Sequence, residues 1–226
     1  MKHLLLICCS AAFLLTACNN DGKTDEKTAS ESSPDTSKMK MDNKEQSGME
    51  DNTYTMPDSA TARKNWMDYA TPGDVHKMLA KSSGTWNSEI TMWEIPDGPS
   101  MKSMGTMNNK MIMGGRYQVS TLSANVMGMP FEGMSTTAYD NLQKVFISTW
   151  IDNMGTGLAT FRGTWDDATK SITSKGKMVD AASGKELNYR EVFKIVDDNT
   201  QIMEMYKPAP DGKEFKTMEA KYTRKK

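Results

Sequence analysis

Cysteine and histidine are scarce in this sequence of 226 residues, which contains three cysteines and two histidines. Cys8, Cys9 and Cys18 all lie near the N-terminus, so the rest of the chain can form no disulfide and offers no thiol nucleophile or thiolate metal ligand. His76 is the single histidine beyond residue 3. A multi-histidine metal site is therefore excluded, and no serine elbow supports a Ser-His-Asp relay.

Long apolar runs and an excess of charge of one sign are also missing. The most apolar stretch, Leu4 to Leu15, spans 12 residues, which is short of the ~20 that a membrane-spanning helix needs. The formal net charge is −1, so there is no electrostatic case for a nucleic-acid partner.

The N-terminus has the basic start, the apolar core and the small-residue end of a secretory signal. It closes with Leu15-Thr16-Ala17-Cys18, which resembles the lipobox of bacterial lipoproteins. The resemblance implies that residues 1–17 are a signal peptide, that cleavage precedes Cys18, and that Cys18 receives a diacylglyceryl group. Two or more acyl chains anchor a protein stably. We therefore expect a cell-envelope protein held to a membrane, on the periplasmic or the cell-surface side.

Residues 18–59 form a separate compositional zone, rich in Ser, Thr, Asp, Glu and Lys, with Tyr54 as its only aromatic residue. Such a segment cannot bury enough apolar surface to offset its ordering entropy. We interpret it as a lipidated cysteine followed by a disordered tether, and we place the folded domain at residues 60–226.

The folded domain begins with a helical pattern that continues to about residue 81. Pro72 interrupts this pattern, so we predict one or two short helices there. Beyond residue 83, β-branched and aromatic residues alternate with turn residues at intervals typical of all-β folds. Ten strands are predicted, at 84–95, 102–111, 115–123, 130–139, 143–152, 156–165, 170–179, 186–197, 200–207 and 213–224. The links are too short for parallel crossovers, so we predict a mainly β fold, an antiparallel meander closed into a ten-stranded barrel.

Two residues at opposite ends of the domain refine this fold. Gly84-Thr85-Trp86 opens the first strand and Arg224 closes the last. This resembles the calycin superfamily, which includes lipocalins, fatty-acid-binding proteins and nitrobindins. The resemblance implies that Trp86 plugs one end of the barrel while Arg224 packs across its ring, with structural roles for both.

A second resemblance covers nearly the whole domain. The residues that carry it are Pro72-Gly73-Asp74-Val75-His76-Lys77, Gly84-Thr85-Trp86, Gly114-Gly115-Arg116-Tyr117, Pro130-Phe131-Glu132-Gly133, Tyr139-Asp140, Trp150-Ile151-Asp152, Gly163-Thr164-Trp165-Asp166, Gly184-Lys185, Arg190 and Tyr222-Thr223-Arg224. This succession is similar to the bacterial domain-of-unknown-function family 1579. That family has no assigned activity, so the resemblance supports the fold and leaves the function open.

The arginines, carboxylates and aromatics of the strands are the candidate ligand-binding residues. Strand alternation places either Arg190 or Glu191 on the apolar face, and a buried charge is costly unless it is paired. These groups could form an internal polar network, could bind an anionic head group as fatty-acid-binding barrels do, or could lie exposed on the strands. The candidates are Arg116, Tyr139, Trp150, Arg162, Arg190 and Glu191.

Methionine is unusually frequent, with 21 residues. Met107, Met111 and Met113 share parity in one hairpin arm, as expected for residues that line a core or cavity. Thioethers would also suit Cu(I). His76 could serve as a lone haem ligand of the nitrobindin type, but it precedes the first strand, and we expect a structural hydrogen bond instead. We predict no cofactor, no metal and no catalytic residue.

The leading hypothesis is a non-catalytic, membrane-tethered module that binds a small apolar or amphipathic ligand inside the barrel. An enzyme with His76 or Glu191 as the acid/base group is the first alternative. A structural or partner-binding lipoprotein with a filled barrel is the second. A lined cavity of ~300 Å³ or more would favour binding or catalysis.

The anchor generates the first prediction. Replacing Cys18 by Ser should abolish labelling by radioactive palmitate and move the protein to the soluble fraction, because the acylated sulfur is removed. Cys9→Ser lies within the segment to be cleaved and serves as the control, which should label like the wild type. Persistent labelling of the Cys18→Ser protein would contradict the lipobox interpretation.

Overall fold

The computed structural model describes residues 54–226, so the predicted signal peptide, the Cys18 lipidation site and most of the predicted tether lie outside the described residues. The elements in chain order are α1 (Ser59–Ala70), α2 (Asp74–Lys81), β1 (Gly84–Trp93), β2 (Ser100–Ile112), β3 (Tyr117–Val126), β4 (Met129–Asp140), β5 (Val145–Asp152), β6 (Ala159–Asp166), β7 (Ser171–Asp180), β8 (Lys185–Asp197), β9 (Thr200–Pro208) and β10 (Glu214–Arg224). Neither helix is long and apolar enough to cross a membrane.

The strands form a closed barrel in which each pairs antiparallel with its neighbours in sequence, and β1 pairs with β10. The predicted ten-stranded meander is confirmed, and its strand ends differ from the observed ones by three residues at most. Closure leaves no row of unpaired backbone groups at a sheet edge.

Three of the hairpin turns are built in the same way by an aspartate at the end of a strand. The Asp140 carboxylate accepts hydrogen bonds from the backbone N–H groups of Leu142 and Gln143, both at 2.8 Å. Asp166 and Asp180 make the equivalent pair of contacts in their own turns. Because such a carboxylate satisfies turn amides that the sheet cannot, aspartate favours the turn over continued strand.

Both helices lie at the barrel end where β1 begins and β10 ends, called here the α2 end. The Asn141 amide, in the β4–β5 turn, donates to the Tyr69 carbonyl at 2.9 Å, and Arg116 Nε donates to the Ala70 carbonyl at 2.9 Å. α1 buries none of its residues, whereas α2 buries His76 and Leu79. The helix that closes the barrel is therefore α2.

The C-terminus of α2 is held by side chains that reach it from inside the barrel. Trp86 Nε1 and Asn109 Nδ2 donate to the Ser82 carbonyl at 2.9 and 3.1 Å, and Gln118 Nε2 donates to the Leu79 carbonyl at 2.7 Å. The last carbonyls of any helix lack partners within the helix. Here β1, β2 and β3 supply the donors, so the helix can be buried without leaving those carbonyls unsatisfied.

Trp86 and Arg224 occupy the positions that the calycin resemblance implied. Trp86 is completely buried, and the Arg224 guanidinium carbon lies 4.2 Å from the centroid of its ring. The guanidinium also donates to the carbonyls of Lys81 at 2.7 Å, Ser83 at 2.8 Å and Asp198 at 3.0 Å. The predicted contact is present, and it connects the last strand both to the core and to the chain that leads out of α2.

The opposite end of the barrel, called here the mouth, consists of five interstrand loops and carries no helix of residues 54–226. The loops that form it are residues 94–99, 127–128, 153–158, 181–184 and 209–213. At the α2 end Leu79 packs with Phe146 and Ile172, and a separate buried cluster of Ala159, Phe161 and Tyr189 lies nearer the mouth.

The contact between Trp86 and Arg224 can be measured by a double-mutant cycle. Trp86→Ala should cost ~3–5 kcal/mol, the range for removing a large buried aromatic, and Arg224→Ala ~1–2 kcal/mol. Because both substitutions delete the same contact, the double mutant should be less destabilised than the sum by ~0.5–2 kcal/mol in denaturant melts. Lys221→Ala is the control, since Lys221 faces outward on the same strand and should add independently to Trp86→Ala. Additivity of the Trp86 and Arg224 substitutions would contradict the assigned contact.

Candidate functional site

The barrel interior is the candidate site, and strand alternation defines its lining. The register that pairs Trp86 with Met107 and Arg224 places alternate residues of every strand on the inner face. The inner-face residues of the middle of the barrel that retain accessible surface are Ser135, Thr137, Ser148, Trp150, Glu191, Phe193, Met203, Met205 and Met218. Their outward neighbours on the same strands form the barrel's outer wall.

These residues are only partly buried although they face the interior of a closed barrel, and the apolar ones also pack against its buried clusters. An inner-face residue in the middle of a closed barrel has no route to solvent through the wall, so its accessible surface must face space within the lumen. Barrels of about eight strands have an interior that side chains just fill or that holds one small ligand, and the diameter grows with strand number. A barrel of ten strands is therefore wider than one of eight.

Glycines in the wall make space for the largest side chains of the lining. A Cβ added at Gly133 would come within 2.3 Å of the Trp150 indole, and one at Gly176 within 2.8 Å of the Phe161 ring. The indole N–H of Trp150 donates to Asp152 at 2.7 Å. The two rings therefore pack closely against glycine backbone on the neighbouring strands.

Glu191 is the charged residue placed deepest in this lining. Its neighbours across the strands are Ser174 on β7 and Met205 on β9. Enclosure by the barrel wall raises the pKa of the Glu191 carboxyl to about 7, and desolvation is the single cause. Among residues 54–226 no hydrogen bond or ion pair offsets that cost. A carboxyl with accessible surface and no protein partner points into the lumen, where a ligand could reach it.

Three further polar groups face the same interior. Ser88, Tyr222 and Gln201 lie side by side on β1, β10 and β9. The Ser88 hydroxyl oxygen and the Gln201 carbonyl oxygen are buried and have no hydrogen-bond partner among the described residues. Desolvation, and secondly the charge of Glu191, raise the pKa of the Tyr222 phenol. The lumen therefore combines an apolar lining of methionine and aromatic residues with a small polar region.

The structure separates the six candidate ligand-binding residues into two groups. Tyr139, Trp150 and Glu191 lie on the inner face. The three arginines lie outside the lumen. Arg116 binds the carbonyls of Ala70 and Met113 at the α2 end, Arg162 donates to Gln143 in the β4–β5 turn, and Arg190 faces outward beside buried Tyr189. The internal network of arginines and carboxylates therefore does not form, and a ligand-binding role for the inner three remains a prediction.

Arg190 belongs instead to an ion-pair network on the outer wall. Its guanidinium makes a bidentate contact with Glu214 at 2.6 to 3.1 Å and stacks on the Tyr206 ring at 3.8 Å from the centroid. Lys216 joins this network through Glu204 at 3.0 Å. Strand alternation alone left open whether Arg190 or Glu191 enters the lumen. Glu191 enters it, and the outward network satisfies the charge of Arg190.

His76 makes the structural hydrogen bond that the sequence predicts. Its Nδ1 accepts from the Gly73 backbone N–H at 3.1 Å, so the imidazole reaches back to the first turn of α2 as a cap. The ring meets the edge of Tyr139, with centroids 6.0 Å apart. Burial, and secondly the charge of Arg116, lower the pKa of His76, so the imidazole is neutral and serves the helix.

The methionines divide according to their position in the β2 hairpin. Met107 is buried beside Trp86, and Met111 packs against the cluster around Leu79, as predicted for core residues. Met113 lies in the turn after β2 with φ of 50° and is exposed, so its predicted inward position is wrong. Among residues 54–226 no group of three or more His, Cys, Asp or Glu side chains could hold a metal ion.

The mouth has polar features that sequence reasoning missed. Lys207 and Asp180, both on inner-face positions, form an ion pair at 2.7 Å, and both are largely buried. Nearby, an open cleft of about 510 Å³ separates the β1–β2 loop from the β9–β10 loop, with Trp93 and Phe215 in its wall. Pairing of Lys207 with Asp180 joins strands that are not adjacent, so no local pattern could have indicated it.

The family described as "Protein of unknown function (DUF1579)" matches residues 71–224, and the resemblance noted in the sequence is confirmed. No match was found among curated proteins. Among solved structures, the S-type phycobiliprotein lyase CPES from Guillardia theta is similar to this chain with a TM-score of 0.48 and 9% identity. The match covers 71% of this chain and 97% of that chain.

The position of Glu191 predicts a pH-dependent stability. The carboxyl has a pKa of about 7 in the fold and an ordinary value of 4.5 when unfolded. The folded state therefore binds this proton more tightly than the unfolded state does. The stabilising contribution of the protonated carboxyl is complete below pH 4.5 and is lost as pH rises to about 7. Relative to Glu191→Gln, the wild type should lose about 3 kcal/mol of unfolding free energy between pH 4.5 and 8.

Urea melts of both proteins across this range would measure the difference. Glu186→Gln, the same change on the outward face of β8, is the control and should follow the wild type. Parallel pH profiles for the wild type and Glu191→Gln would show that the carboxyl is not desolvated in the fold.

Proposed function

The chain belongs to the DUF1579 family of proteins of unknown function, and we propose that it is a membrane-anchored lipoprotein that binds a small apolar or amphipathic molecule in its barrel. The observation that carries the proposal is the accessible surface of inner-face residues that the closed wall shields from solvent. Partly exposed side chains on the inner face of a barrel line a concave and mostly apolar surface, which is typical of small-molecule sites.

The composition of the lining supports a ligand of mixed character. Met203, Met205 and Met218 line one side of the lumen, and methionine adapts its shape to irregular apolar surfaces. Ser135 and Ser148 add hydroxyl groups on the other side. A ligand with an apolar body and a polar group would satisfy both parts of this lining.

The proposed anchor rests on the sequence of residues 1–18. A lipid-modified Cys18 would hold the barrel near a membrane surface, where apolar molecules partition and are exchanged. A binding module at that position could take up a ligand that is too insoluble to reach high concentration in water. Anchoring and luminal binding are therefore compatible parts of one proposal.

The enzyme alternative retains one of its two candidate groups. Glu191, with a pKa of about 7, lies in the range that suits proton transfer at neutral pH. His76 is committed to the cap of α2 and contacts Tyr139 rather than the lumen centre. The filled-barrel alternative predicts complete burial of the inner-face residues, which the accessible lining does not support.

Filling the lumen should abolish binding of an apolar probe. Ser148 lies on the inner face between Thr137 and Phe161, whereas Thr149 is its outward neighbour. The fluorescence of N-phenyl-1-naphthylamine should rise on binding to the Cys18→Ser protein, which needs no detergent. Ser148→Trp in that background should weaken binding at least ~10-fold, since an indole takes up the space of the ligand.

Thr149→Trp is the matched control and should bind the probe like the parent protein. Thermal melts would establish that both variants are folded. The proposal is wrong if the parent protein does not bind the probe, or if the inward and outward tryptophans have equal effects. Native mass spectrometry of protein purified from its own host would then identify any ligand that is retained.

A further inference from the structure

Three side chains that face the lumen carry oxygen atoms without a hydrogen-bond partner among the described residues. The carbonyl oxygen of Gln201 can only accept, and so can the carboxylate of Glu191 when ionised. The Ser88 hydroxyl can accept or donate. Gln201 Oε1 and Ser88 Oγ have no partner among residues 54–226, and Glu191 has none there either. Buried acceptors without donors are costly, and their natural complement is a molecule that donates.

Glu191 lies apart from the other two groups. Ser88 is opposite Tyr222 across β1 and β10, and Tyr222 is opposite Gln201 across β10 and β9. Glu191 is instead opposite Met205, which is opposite Met218. A ligand that lies along these methionines would therefore meet the Glu191 carboxyl as its polar partner.

The basic residues nearest to the lumen are committed elsewhere. Lys207 is paired with Asp180 at the mouth, at 2.7 Å. Arg224 donates to three backbone carbonyls at the α2 end. On the strands beside Glu191, the inner-face neighbours Ser174 and Met205 carry no charge. Within the described residues the carboxyl thus has no cationic partner, and an anionic head group placed beside the ionised Glu191 would meet a like charge.

We propose that the ligand is an amphipathic amine whose ammonium group binds the Glu191 carboxylate, while its apolar tail lies along the methionine side of the lumen. This inference rests on the proposed luminal binding and specifies the chemistry of the polar group. A cation that donates hydrogen bonds compensates a desolvated carboxylate far better than a neutral group does. The same complementarity disfavours fatty acids, whose carboxylate would face Glu191.

Proton linkage provides a second signature of this pairing. Because enclosure raises the pKa of Glu191 to about 7, an ammonium ligand must displace a proton from part of the population at neutral pH. Affinity for an alkylamine, which stays cationic throughout, should therefore rise between pH 5.5 and 8. Tyr222 is the other titratable group that faces Glu191, and its raised pKa keeps it neutral over this range.

Competition with N-phenyl-1-naphthylamine in the Cys18→Ser protein tests the inference. Dodecylamine, dodecanol and dodecanoate share one apolar tail and differ in the polar group. At pH 8 dodecylamine should displace the probe at a concentration at least ~10-fold lower than dodecanoate. Glu191→Gln should lower the affinity for dodecylamine at least ~10-fold and should abolish its pH dependence. The affinity for dodecanol should be nearly unchanged. Glu191→Asp, which keeps the charge, should recover part of the affinity, and Glu186→Gln should match the parent protein.

The outcomes separate this inference from the proposed function. If the parent protein binds the probe but dodecanoate competes as well as dodecylamine, luminal binding stands and the amine inference is overturned. An unchanged dodecylamine affinity in Glu191→Gln overturns it as well. If the parent protein does not bind the probe at all, both proposals fall.

Discussion

The rest of the structure depends on how the carbonyls at the end of α2 are satisfied. A helix that enters a barrel carries polar backbone groups into a region without water, and each group left unpaired costs roughly 1–3 kcal/mol. Trp86, Gln118 and Arg224 supply donors from three different strands. Because these side chains come from β1, β3 and β10, the same hydrogen bonds that bury the helix also hold together the first and last strands, where the barrel closes.

The buried clusters inside the barrel determine where a ligand could be held. Around α2, Leu79, Phe146 and Ile172 fill the interior. Another buried cluster, of Ala159, Phe161 and Tyr189, lies nearer the mouth, with glycine opposite the Phe161 ring. Glu191 faces the lumen opposite Met205, which packs against this second cluster. A ligand would therefore contact packed apolar side chains as well as the carboxyl.

Much of this organisation could be predicted from the sequence. Turn residues and alternating strands predict the meander, and the pair Trp86 and Arg224 predicts how one end is closed. The candidate site was less accessible to such reasoning. Arg162 and Arg190 lie on strands with inner and outer faces of mixed polarity, and alternation fixes only that consecutive residues face opposite ways. Ser88 and Gln201 gave no signal, since an isolated serine or glutamine in a strand is equally suited to solvent.

The sequence by itself determined the strand number and the antiparallel order, because these follow from local periodicity and short connections. The inward position of Trp86 was implied by the resemblance to calycins. Only the tertiary structure decided that Glu191 enters the lumen while Arg190 pairs with Glu214 outside. That choice depends on partners that come from other strands and are distant in sequence. The free energy of a charged side chain is set by its three-dimensional surroundings, which no local pattern of residues encodes.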